Sequence, residues 1–191
     1  MDNGDRPVET TSNAHALQEL DEADIALFRA VAGYHSPVLD RIMPILSETA
    51  NYSRLWMGVA GLLAVLGGKR GRLVSARAMT SVAVTSAVAN LAAKNLVRRP
   101  RPQSGVPEKR RLEQPDSSSF PSGHTASAAA FSSVVGNEIP LLYIPVTALA
   151  GAVGFSRVYT GVHYPGDVLV GWMLGRAVAA FMRAVWPKRW R

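Results

Sequence analysis

Cysteine is absent from the 191 residues. That excludes disulfides, thiol nucleophiles and cysteine-held zinc. An early apolar stretch is absent too: residues 1–24 are polar and acidic, so the N-terminus does not read as a signal peptide. Charged residues are scarce, at 18%, and unevenly signed: 21 Lys and Arg against 14 Asp and Glu, for a net charge of +7. A basic excess suits nucleic acid, anionic lipid headgroups or a phosphorylated substrate. Hydrophobic residues make up 48% of the chain, yet the mean hydropathy is only +0.07. Apolar segments must therefore alternate with polar ones.

The length favours a single domain. Residues 1–20, with Asp2, Asp5, Glu9 and Glu19, are expected to be a disordered acidic tail. Residues 21–191 are expected to form one membrane domain. Ile25, Leu27, Phe28 and Val31 suggest a short amphipathic helix ended by Gly33, and Pro37 opens another. Asp40 and Arg41 make the second a poor span, so 25–50 is read as interfacial or folded against the bundle.

Five candidate spans follow, at 53–68, 74–93, 122–138, 139–155 and 168–186. Their lengths, about 16 to 20 residues, approach the ~20 needed to cross the hydrocarbon. Small residues such as Ala83, Ser86, Ala126, Ser127 and Gly151 would let the helices pack closely. Trp172, Trp186 and Trp190 are expected interface anchors. The expected fold is all-α: a polytopic bundle of about five transmembrane helices with N-terminal interfacial helices. Lys69, Arg70 and Arg72, with the basic C-terminus, place those two regions in the cytoplasm by the positive-inside rule.

Three clusters fall at span ends that alternation puts on one, extracytoplasmic, face: 94–102 (KNLVRRPRP), 121–124 (PSGH) and 156–167 (SRVYTGVHYPGD). Together they supply what a phosphate ester needs. Lys94, Arg101 and Arg157 can neutralise equatorial oxygens, and an arginine fork binds two at once. Pro100 and Pro102 keep Arg101 in an extended segment. Ser122 and Gly123 stand at an expected helix N-terminus, where N–H groups and the dipole favour an anion. Asp167, four residues after His163, could hold one ring nitrogen and leave the other to attack phosphorus. His124 could protonate the leaving alkoxide and then activate water. Arg98, Arg99 and the 109–111 run read as solvated charges. His15 and His35 read as structural or solvated, and Tyr159 and Tyr164 as lining the pocket or anchoring at the interface.

In order and spacing the clusters resemble the type 2 phosphatidic acid phosphatase superfamily, which includes lipid phosphate phosphatases and vanadium haloperoxidases. Its pattern is Lys, six residues, Arg-Pro; then Pro-Ser-Gly-His; then Ser-Arg, five residues, His, three residues, Asp. This chain supplies Lys94 with Arg101-Pro102, then Pro121 to His124, then Ser156-Arg157, His163 and Asp167. The resemblance implies a phosphohistidine at His163, His124 as acid and base, and a phosphate pocket of Lys94, Arg101, Ser122, Gly123 and Arg157. It implies no metal. The expected partner is a phosphorylated lipid in the bilayer and not nucleic acid, because much of the basic charge sits at span ends. The alternatives are a vanadate-dependent haloperoxidase and a non-catalytic phospholipid-binding membrane protein. No residue selects one lipid over another or sets an oligomeric state.

Overall fold

The computed structural model describes residues 8–93, 97–103 and 105–186, with side chains from residue 15 onward except 92 and 93. Lys94 lies outside the described residues. Seven α-helices are described: α1 (Val8–Gly33), α2 (Pro37–Thr49), α3 (Arg54–Leu66), α4 (Gly68–Ala87), α5 (Gly123–Glu138), α6 (Tyr143–Tyr159) and α7 (Pro165–Val185). No strand occurs among the described residues. The expected tail boundary at residue 20 falls inside α1. The expected start at Pro37 is where α2 begins.

Helix α5 is the axis of the bundle, packed by α4, α6 and α7. Residues 125–132 are all buried, so this helix is enclosed on every side rather than presenting one apolar stripe. Its Ala and Ser side chains allow that enclosure. The partner helix α7 contributes Gly171 and Gly175, four apart. A Cβ at Gly171 would lie 2.5 Å from Ser122 O, and one at Gly175 would lie 2.1 Å from Ala126 O. The two glycines therefore let the α7 backbone ride directly on α5, as small-residue repeats do in membrane bundles. On the other flank Trp56 of α3 stacks on Phe131 with ring centroids 4.9 Å apart.

All five expected spans fall on helices, but two segments are long and apolar enough to cross a membrane, Pro140–Tyr159 and Pro165–Val185, each with mean hydropathy 1.5. Helix α3 has 13 residues and α5 has 16, which at ~1.5 Å per residue is short of ~30 Å of hydrocarbon. Helix α4 has the length but carries Lys69, Arg70, Arg72 and Arg77. The two apolar segments keep much of their surface outside the protein. Only 17% of the α7 window is buried, and Leu169, Met173 and Phe181 are each more than 60% exposed. Outward apolar surface of this kind suits a lipid environment.

The bundle has two polar ends. At one, buried Arg77 pairs with Glu138 at 2.5 Å and lies over the Trp186 ring, while Arg70 donates to the Glu138 carbonyl. The other end gathers the connection 97–122, the 160–164 turn and the start of α5. That is the end where residues 97–102 of the first sequence cluster meet the other two clusters.

Candidate active site

Local chain geometry sets the clusters side by side. The Ser122 N–H donates to the Asp167 carbonyl at 3.0 Å, and the Ser119 N–H donates to the Arg99 carbonyl at 2.9 Å. After α6 the chain turns at Gly161, whose φ of 75° suits glycine. The N–H groups of Val162 and His163 then both donate to the Arg157 carbonyl. Pro165 starts α7 immediately afterwards, and Asp167 sits in its first turn.

His163 is 2% exposed and Asp167 is fully buried. The Nδ1 atom of His163 stands 3.5 Å from Asp167 Oδ2, longer than an ordinary hydrogen bond, and is buried without a closer partner. That oxygen also accepts the Tyr164 N–H at 2.9 Å. On the other side of the ring, Nε2 lies 3.4 Å from Arg101 Nη1. Arg101 is itself fixed by the carbonyls of Val162, Pro115, Ser117 and Ser118. Burial pushes the His163 pKa down to about 4; Asp167 opposes the shift, and the cations of Arg157 and Arg101 add to it. The imidazole is therefore neutral, and nucleophilic, across the physiological range. Burial also lowers the Arg101 pKa, although a guanidinium remains charged.

Arg157 projects from the last turn of α6 and is 3% exposed. One of its nitrogens donates to Ser47 Oγ at 2.6 Å and to the Ser47 carbonyl at 3.3 Å. Its Nε is buried without a hydrogen-bond partner, an arrangement that is costly in a finished core and useful where an anion is to be met. Ser122 caps α5, and its Oγ accepts from Thr125 Oγ1 at 3.0 Å. That leaves the Ser122 proton available to donate. Gly123 and His124 open α5 beside Arg157, and all three border a cleft of about 830 Å³ that also touches Asn51, Arg54, Asn90, Glu113, Gln114 and Asp116. His124 Nε2 pairs with Asn51 Oδ1 at 2.8 Å. Among the described residues no group of three or more His, Asp or Glu is placed to hold a metal ion.

The structure thus brings His163, Asp167, Arg101 and Arg157 together, with Ser122 stitched to Asp167 through its backbone and His124 on the adjoining cleft. It corrects two sequence expectations. Arg99 is not a solvated charge: it donates to Asp167 Oδ1 at 3.0 Å, Asp24 Oδ2 at 2.7 Å and Asp21 Oδ1 at 2.7 Å, and stacks over Tyr164. Burial alone would lower its pKa, but the three carboxylates raise it. Arg110 is 1% exposed, stacks over Tyr159 and binds Asp40 and the carbonyls of Tyr34 and Ala32. It ties the 97–122 connection to α1 and α2. Ser47 and Asn51 were not singled out by the sequence. A Ser and an Asn near helix ends carry no signal beyond ordinary capping.

These elements define a class: a helical bundle with outward apolar surface, holding a buried histidine–carboxylate pair among arginines at one polar end. The chain belongs to the PAP2 superfamily, whose family profile matches residues 75–191. It is 30% identical over 156 residues to an undecaprenyl-diphosphatase of Sulfolobus acidocaldarius, covering 80% of this chain and 73% of that protein. It is 38% identical over 102 residues to a decaprenylphosphoryl-5-phosphoribose phosphatase of Mycobacterium tuberculosis, a match covering 51% of this chain and 54% of that relative, so it spans about half of that relative's length. Among solved structures, a transmembrane PAP2 type phosphatidylglycerolphosphate phosphatase from Bacillus subtilis superposes with a TM-score of 0.68 at 25% identity, over 87% of this chain and 85% of that one. Aquifex aeolicus LpxE shares the fold, with a TM-score of 0.65 at 23% identity over 84% and 94% of the two chains.

Proposed function

We propose that this protein is an integral membrane phosphatase that hydrolyses a phosphomonoester or pyrophosphate on a lipid through a phosphohistidine. The observation that carries this reading is the buried His163–Asp167 pair, whose Nε2 lies 3.4 Å from Arg101 with Arg157 nearby, the latter holding a buried, unbonded Nε. His163 Nε2 attacks phosphorus and the bond to the leaving oxygen breaks. His124 gives that oxygen a proton. A water then attacks the phosphohistidine, losing its proton to His124, and the N–P bond breaks to release phosphate. Arg101, Arg157, Ser122 and the Gly123 N–H stabilise the charge gathered on the equatorial oxygens. Lys94 is assigned to the same task by its motif position.

Candidate substrates are phosphatidate, phosphatidylglycerol phosphate, polyprenyl diphosphate and a polyprenyl-linked sugar phosphate. Relatives named undecaprenyl-diphosphatase, decaprenylphosphoryl-5-phosphoribose phosphatase and phosphatidylglycerophosphatase B support this class. The bundle would cross the cell membrane several times. Its basic end, with Lys69, Arg70 and Arg72, would lie in the cytoplasm, and the active site would open on the other face. α1 and α2 would lie at the interface. The test is phosphate release by purified protein over a panel of these four lipids. Release from at least one, lost in His163→Ala, is expected; release undiminished by that substitution would overturn the mechanism.

A further inference from the structure

We propose that Asp24 of α1 is a positioning residue for the reaction, acting through Arg99 on Asp167. This inference rests on the phosphatase reading above. The contacts form a closed ring at the start of α7. Asp24 Oδ1 accepts the Gly166 N–H at 2.7 Å, and Asp24 Oδ2 accepts from Arg99 Nη1 at 2.7 Å. The same Nη1 donates to Asp167 Oδ1 at 3.0 Å, and Asp167 is the residue after Gly166. A Cβ on Gly166 would lie 2.9 Å from Asp24 Oδ2, so a side chain there would push the carboxylate away. The glycine in this turn therefore lets the carboxylate approach.

Two consequences follow for Asp167. With Oδ1 held by Arg99, the carboxylate plane is fixed and Oδ2 is presented to Tyr164 N–H and to His163 Nδ1. The charge of Arg99 is also divided. Three carboxylates share one guanidinium, so Asp167 keeps negative charge with which to stabilise His163 as its other nitrogen becomes bonded to phosphorus. Without Asp24, Arg99 Nη1 would be left to Asp167 alone, with only Asp21 on the other nitrogen, and would compete more strongly with the histidine. Asp24 belongs to a helix that precedes the family match, which begins at residue 75. The α1 helix is in this sense part of the working site and not a separate appendage.

Asp24→Asn keeps an acceptor for the Gly166 N–H and removes only the charge facing Arg99. The expected result is a fall in kcat of about tenfold with KM changed less than twofold, as for a small misplacement of reacting groups. The double variant Asp24→Asn/Arg99→Gln should lose no more than Arg99→Gln alone, because the two residues act in series. A kcat equal to that of the unsubstituted protein, or losses that simply add, would overturn the proposal while leaving the phosphatase reading intact. Absence of phosphate release from the unsubstituted protein would sink both. Should Asp24→Asn not accumulate as folded protein, Asp21→Asn serves instead. That residue is 57% exposed on the same guanidinium, and a loss in kcat of about two- to threefold is expected of this weaker partner. No loss there would count against the proposal.

Discussion

Residues after 75 and the helices before them meet at the same site but contribute different things. The later region supplies the groups that would react with or bind phosphate: Arg101, Ser122, His124, Arg157, His163 and Asp167. The earlier helices supply partners for those groups. Asp24 reaches Asp167 through Arg99, Ser47 binds Arg157, and Asn51 binds His124. A reacting group must be one particular residue type at a spacing set by local turns. A supporting group needs only an acceptor or donor that arrives in the right place, and many sequences provide one. Chemistry is thus concentrated in short loops at helix ends, while its scaffolding is spread over a longer and less distinctive stretch.

This contrast is open to direct attack, and the steepest test is Asp167→Asn. The amide is near-isosteric but cannot compensate a charged or phosphorylated His163, so kcat should fall by about 10³-fold or more. A loss below tenfold would show that the buried pair is structural. Next is Arg157→Ala, which removes a charged donor and should cost about 10²-fold in kcat; unchanged turnover would move the phosphate pocket elsewhere. On the supporting side, Asn51→Ala should lower kcat by about three- to tenfold by removing the hydrogen bond between Asn51 and the His124 ring, and Ser47→Ala should cost about threefold or less through a looser Arg157, in keeping with the loss of a single hydrogen bond. If either supporting variant fell as far as Asp167→Asn, the division between reacting and holding residues would collapse.

The smallest effect concerns pH. His163 is held near pKa 4 by burial and by the neighbouring cations, against its usual value of 6.5. As pH falls between those values the unfolded chain takes up a proton that the folded chain does not, so stability should decline across that window. Thermal unfolding in detergent at pH 7 and pH 5 checks this, and His163→Gln should remove that part of the decline. The free protein should likewise keep His163, the proposed nucleophile, neutral well below pH 6.5. An acid limb of kcat/KM that tracks His163 near 6.5 would contradict the burial described here.

The same division explains what could be read from the sequence. Helix content, the start of α2 at Pro37 and the gathering of residues 97–102, 121–124 and 156–167 at one end of the bundle were all legible, because apolar runs, prolines and motif spacing are local signals. The number of helices crossing the bilayer was not. Helix α5 is apolar because it is enclosed by protein, whereas α7 is apolar because it faces outward, and hydropathy alone does not separate the two. Arg99 and Arg110 look like surface charge in a basic run; only the folded chain brings Asp21, Asp24 and Asp40 to them from 70 or more residues away. Gly171 and Gly175 carry a legible four-residue spacing, but their role depends on α5 lying against them.

If phosphate passes through His163, it can be trapped there. Purified protein would be mixed with a ³²P-labelled lipid phosphate that it turns over, quenched in alkali within the first turnover, digested and mapped. An acid-labile, alkali-stable label is expected on the peptide bearing His163, absent from His163→Ala and persisting longer in His124→Ala. Label on another residue, or full turnover by His163→Ala, would contradict it.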